Sequence, residues 1–133
     1  MSCAPDTDLG ETEQILDETE PTIEVDRPKP HVALVVLGGE HDLNSAPLVK
    51  QATEEALLTS SHLIVDISPV RFIDSSIINL LINLKKDADE RDCRFNLVLG
   101  TDPGVERALE ICGVLPALNR VKNVDTALEE PAP

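Results

Sequence analysis

Apolar residues along this chain fall into two kinds of run that alternate from end to end. The first kind is a short contiguous block, and His31–Leu37, Leu63–Ile67 and Arg94–Leu99 all read as strands buried on both faces. Gly38-Gly39 is expected to end the first block and Gly100 the third. Ahead of them Thr22–Val25 alternates, which predicts a short edge strand stopped by Pro28 and Pro30. The second kind repeats at helical spacing. Asn44 or Ser45 caps one such segment, with Pro47 in its first turn, and the helix is expected to reach about Thr59. Leu48, Ala52 and Ala56 are its expected sheet-facing residues, with Val49 at the margin. Asp102-Pro103 opens another helix, in which Val105, Ala108, Leu109 and Cys112 share a face and Gly113 is the expected stop. A short strand over Leu118–Val121 and a helix over Val124–Glu129 complete the pattern.

The most apolar stretch is Val70–Leu84, read as a turn entering a helix. Asp74, Ser75 and Ser76 stand where the first helical N–H groups need acceptors, and Asp74 is the preferred N-cap. On a wheel of about 100° per residue, Ile77, Leu80, Leu81, Leu84 and Ala88 fall on one inward face, with Asn79, Asn83, Lys86 and Asp87 opposite. Ile78 and Ile82 fall at the edge between the faces, beside Ser75. They read either as an exposed apolar ridge or as flanks of the core. A phosphate on Ser75 would change that surface abruptly.

Buried strands separated by helices imply a single α/β domain over residues 22–130, with a mostly parallel sheet of four to five strands and right-handed crossovers. Residues 1–21 carry only acidic charges and few apolar side chains, which predicts a disordered acidic tail. Loops at the carboxyl ends of strands are where such sheets place their sites. The loops after the first and second long strands, Gly39–Asn44 and Ser68–Ser76, should therefore emerge together.

These two loops carry a resemblance. Phe72-Ile73-Asp74-Ser75-Ser76 with its apolar helix resembles the signature of the STAS domain of bacterial anti-sigma factor antagonists. Leu37-Gly38-Gly39-Glu40-His41-Asp42-Leu43-Asn44-Ser45-Ala46 resembles the same family's strand, Gly-Glu-x-Asp turn and first helix start. The usual glycine after the two serines is replaced here by Ile77. The resemblance implies a STAS-like fold and an anti-anti-sigma factor: unphosphorylated, it binds an anti-sigma factor with serine kinase activity and so releases a sigma factor. Phosphorylation at Ser75 would end that binding, and a phosphatase acting on phosphoserine would restore it. It also implies a docking surface drawn from Asp74, Ser76, Ile78, Ile82, Glu40, Asp42 and Asn44. For several of these a structural role competes: helix capping for Asp74 and Ser76, turn formation for Asp42 and Asn44. A STAS scaffold or accessory subunit of a signalling assembly or transporter, with Ser75 unmodified, is the alternative.

Charge and composition narrow the classes further. A formal net charge of −14 argues against nucleic acid and against an anionic membrane surface. Cys3, Cys93 and Cys112 lack any Cys-x-x-Cys spacing, which points to the cytoplasm rather than to a disulfide framework or zinc cluster. No apolar run reaches the roughly 18 residues of a membrane span. No nucleotide-binding glycine motif is present, and His31, His41 and His62 lack metal-ligand spacing, so neither enzyme nor cofactor is implied. ATP and magnesium would belong to the kinase. The remaining enzyme reading is a hydrolase that pairs Ser75 with His41.

Overall fold

The computed structural model describes residues 20–129, so the expected tail lies outside the described residues except for Glu20 and Pro21, and the expected domain end at residue 130 lies just beyond them. In chain order the elements are β1 (Thr22–Lys29), β2 (Val32–His41), α1 (Ala46–Leu58), β3 (His62–Asp66), β4 (Val70–Ile73) and α2 (Ser75–Glu90). Then follow β5 (Arg94–Val98), α3 (Pro103–Ile111), a 3-10 turn over Leu115–Leu118, β6 (Arg120–Val121) and α4 (Val124–Glu129). The α/β architecture implied by the alternating runs is present, with six strands among the described residues rather than four or five. The order is β1-β2-β3-β5-β6, and β4 pairs with the far end of β2. All pairings are parallel except the edge pairing of β1 with β2.

Alternate residues of the central strands feed two cores. Ala33, Val35 and Leu37 of β2, with Leu63 and Val65 of β3 and Phe95 and Leu97 of β5, pack beneath α1, α2 and α3. Val32, Ile64 and Val98 face the other way and meet Ala127 of the short helix α4. His62 and Asn96 are buried on that second face, where the His62 ring and the Asn96 side-chain oxygen lie 2.7 Å apart.

Several local expectations are corrected. β1 runs through Pro28 to Lys29, because at a sheet edge the missing N–H faces no partner and the register shifts between Asp26 and Lys29. β2 continues through Gly38 and Gly39 to His41, so Glu40 lies on a strand rather than in a loop. Val70–Ile73 is a strand, not a turn. The inward stripe of α1 is Val49, Thr53, Ala56 and Leu57, whereas Leu48 is 61% exposed and Ala52 half-buried. Thr53 tolerates burial because its hydroxyl donates to the Val49 carbonyl at 2.8 Å. Cys112 is exposed, and the first half of the strand expected over Leu118–Val121 is taken up by the 3-10 turn and Asn119. Gly113 does close α3 with φ +70, and bonds from its N–H to Glu110 and from Val114 to Leu109 form a Schellman motif.

The rotated stripe of α1 gives a direct check. Leu48→Ser is expected to change the unfolding free energy measured in urea by no more than about 0.5 kcal/mol, as for other surface changes. Were Leu48 part of the core, truncation there would cost about 2–5 kcal/mol.

Candidate functional site

Asp74 is the residue that joins the two motif loops. It sits in extended backbone as the N-cap of α2, and its carboxylate accepts from the N–H groups of Ser76 at 3.0 Å and Ile77 at 3.3 Å. The Ser76 hydroxyl donates to the same oxygen. The second carboxylate oxygen accepts from the Leu43 N–H at 3.1 Å, 31 positions upstream in the other loop. Burial pushes the Asp74 carboxyl up. The Ser76 hydroxyl, then the Ile77, Ser76 and Leu43 N–H groups, outweigh that and hold it below the ordinary value of 3.8. Asp74 is thus ionised at neutral pH and fastens one loop to the other.

The strands beneath bring the loops together. β2 exchanges β3 for β4 as its neighbour near Gly39, so that Glu40 pairs with Phe72 and His41 with Ile73. Gly39 makes the shift possible: its φ is +77, and its N–H donates to the Pro69 carbonyl at 3.3 Å. The loop beyond is self-bracing. Asp42 Oδ1 accepts from the Asn44 N–H at 2.9 Å, and the Asp42 carbonyl accepts from the N–H groups of Ser45 at 3.1 Å and Ala46 at 3.0 Å. The turn-forming role of Asp42 is therefore present, while the Asn44 side chain points into solvent.

Ser75 occupies the first position of α2 and is exposed. Among the described residues its hydroxyl takes no hydrogen bond. His41 is fully buried, with Nδ1 at 3.0 Å from the Ser45 hydroxyl and Nε2 at 3.2 Å from the Thr22 carbonyl. The carbonyl requires Nε2 to donate, and Nδ1 pairs with the Ser45 hydroxyl. Both nitrogens are spent on holding β1 and the α1 entrance, so this imidazole is not positioned as a base for Ser75. Among the described residues, no group of three or more His, Cys, Asp or Glu is gathered to hold a metal ion.

The apolar ridge expected beside Ser75 is not built from Ile78 and Ile82. Ile78 is 5% exposed and part of the main core, and Ile82 is half-buried against it. The exposed apolar side chains of the two motif segments are instead Leu43, 71% exposed, and Phe72, 49% exposed. Leu43 belongs to the loop held by Asp74, and Phe72 pairs with Glu40, itself exposed. The one sequence signal for Leu43 was a large apolar residue between Asp42 and Asn44 in a polar loop. Phe72 carried none, since its outward direction depends on β4 being a strand.

An added phosphate would find the N–H groups of Ser76 and Ile77 already committed to Asp74. Its charge, about −1.5 to −2, would therefore project outward beside Asp74 rather than being absorbed by the helix start.

Residues 23–127 match the family model for the STAS domain. Solved structures share the fold. An anti-sigma factor antagonist from Mycobacterium paratuberculosis superposes with a TM-score of 0.71 at 23% identity, covering 84% of this chain and 94% of that one. The Bacillus cell fate determinant SpoIIAA in its phosphorylated form gives a TM-score of 0.62 at 15% identity, with 81% and 97% covered. A sulfate transporter family protein from Wolinella succinogenes gives 0.61 at 21% identity, with 75% and 84% covered. Among curated proteins none matches this sequence. Among the described residues no helix is long and apolar enough to cross a membrane.

Proposed function

The chain belongs to the STAS domain family, and from that premise we propose that it is a cytoplasmic anti-sigma factor antagonist switched by phosphorylation at Ser75. In the unphosphorylated state it binds an anti-sigma factor with serine kinase activity over the end of α2. That binding releases a sigma factor for transcription. The partner phosphorylates Ser75 with its own ATP, and a phosphatase acting on phosphoserine resets the protein. The observation that carries this reading is the setting of Ser75: an exposed hydroxyl, without a hydrogen bond among the described residues, on a helix start whose Asp74 cap also holds the loop of exposed Leu43, with exposed Phe72 on the strand that leads into it. Glu40, Asn44, Asp74 and Ser76 lie around that end and complete the surface, with Asp42 holding its loop in shape. Ile78 and Ile82 contribute from beneath by fixing the helix.

The physical logic is one of interface desolvation. A partner packed on Leu43 and Phe72 removes Ser75 from water, which a neutral hydroxyl tolerates and a dianion does not. No refolding of this domain is required. A pull-down from native-host lysate with wild-type, Ser75→Ala and Ser75→Asp baits tests it. A kinase-type anti-sigma factor is expected on wild type and Ser75→Ala, with retention on Ser75→Asp lower by at least about tenfold, or ~1.4 kcal/mol. Equal capture by all three would refute the switch.

The likeness to a sulfate transporter family protein favours one second reading, a STAS scaffold or accessory subunit in which Ser75 stays unmodified. Transporter or self-assembly components retained equally by all baits would support it.

A further inference from the structure

We propose that the groove between α1 and α2 is a second docking site, which excludes Ser75 but adjoins its surface through Leu43 and Ser76, and that its occupant is an amphipathic helix of a protein partner that presents a Lys or Arg side chain. The groove falls into two adjoining compartments of about 490 and about 320 Å³. Leu43, Leu80 and Leu84 give the larger one an apolar lining. Glu54 on α1 and Asp87 on α2 border both compartments, so two carboxylates stand on opposite walls where the compartments meet. Both are exposed, and neither forms an ion pair or hydrogen bond among the described residues.

The charge pattern selects the occupant. The smaller compartment carries Glu54, Asp87 and Glu90 against Arg91 alone, and in the larger one Lys50 lies one turn before Glu54. Two like charges facing across a groove repel each other, and a single cation placed between them satisfies both. An apolar lining beside that point takes the i, i+3, i+4 side chains of a helix, which is the helix-in-groove mode of recognition. A second copy of this chain is a poor occupant, since each copy carries a net charge of −14. Nucleic acid and anionic lipid meet the same repulsion.

The test uses the full chain, labelled with 15N, titrated with a helical peptide of about 18 residues that has Leu on one face and Lys on the other. Amide shifts are expected to concentrate in residues 46–54 and 79–87. The pair Glu54→Gln and Asp87→Asn is expected to weaken binding about fivefold, the effect of two partly exposed charge pairs. The pair Glu24→Gln and Asp26→Asn on β1 removes equal charge elsewhere and is expected to leave affinity unchanged. Shifts spread over the whole acidic surface, equal losses from both pairs, or no binding overturn the proposal. So would equal binding of a peptide with Glu in place of Lys. Concentration-dependent self-association of the chain alone, abolished by Leu80→Arg, would assign the groove to a second copy and overturn it as well. Ser75 is outside the groove lining, so Ser75→Asp is expected to leave the titration within about twofold. The Glu54→Gln and Asp87→Asn pair is expected to leave the Ser75-dependent pull-down unchanged, which keeps this result distinguishable from that of the phosphorylation switch although Leu43 and Ser76 border both surfaces.

Discussion

Gly39→Val is expected to cost more than about 3 kcal/mol and to leave little folded protein at physiological temperature. Two independent penalties add. The residue sits at φ +77, where a β-branched side chain is a strained outlier worth about 1–3 kcal/mol. Its Cβ would also fall 2.1 Å from the Glu20 carbonyl oxygen and 2.7 Å from the Glu20 carbonyl carbon, both backbone atoms. Relief requires the Glu20-Pro21 backbone to move away from Gly39, which pulls on the adjoining start of β1, where Ile23 packs on the core and the Thr22 carbonyl bonds buried His41. Gly38→Ala is the matched control. There the nearest atom, at 2.6 Å, is the side-chain hydroxyl of Thr22, which can rotate, so a loss of about 1 kcal/mol or less is expected. Urea unfolding of the two variants checks this: a comparable midpoint for both would show that the Gly39 conformation is not under constraint.

That glycine also shows where sequence reasoning reached its limit. A Gly-Gly pair after a buried apolar block is a fair strand-end signal, yet here it is a pivot. Whether such a pair ends β2 or redirects it depends on Val70–Ile73, a four-residue strand whose parallel partner lies about 30 positions upstream. Nothing local distinguishes that segment from a turn. By contrast α2 and its cap were legible, because Asp74 and the stripe Ile77, Leu81, Leu84 and Ala88 are written within one helix. The α1 stripe was read one position off for a related reason. Leu48 attracts a hydrophobicity argument and Thr53 repels one, but Thr53 satisfies its own hydroxyl and goes inside.

The same division runs through the site. Asp74 as a cap and Asp42 as a turn former could be picked out from residue type and spacing, whereas Ser75 stood out only through the resemblance of its segment to the STAS signature. The apolar flank could not: Ile78 and Ile82 lie on the helix with Ser75 but turn inward, while Leu43 and Phe72 arrive from other segments. A surface assembled from three segments is a property of the fold, and periodicity within one helix carries no information about it.

Asp74→Ala should therefore do more than remove a helix cap. Loss of an N-cap alone costs about 0.5–2 kcal/mol, and this change also frees the Leu43 N–H and the Ser76 hydroxyl, giving about 2–3 kcal/mol in all. Its pH dependence follows from the depressed carboxyl. Because the folded-state value lies below that of the unfolded chain, the ionised carboxylate stabilises the fold at every pH above the ordinary Asp range. That contribution falls away as pH drops through the lowered folded value. The stability gap between wild type and Asp74→Ala is thus expected to be full at pH 7 and to shrink on acidification below pH 3.8. Asp74→Asn, which keeps an acceptor oxygen and loses the charge, should fall between the two at pH 7 and show a weaker pH dependence. Urea midpoints of the three proteins across that range measure it, and a gap that stays constant or widens with acid would contradict an ionised Asp74 as the tie. Amide exchange at Leu43 supplies a local readout: it should accelerate in Asp74→Ala, because the loop that presents Leu43 beside Ser75 is then no longer fastened to the start of α2.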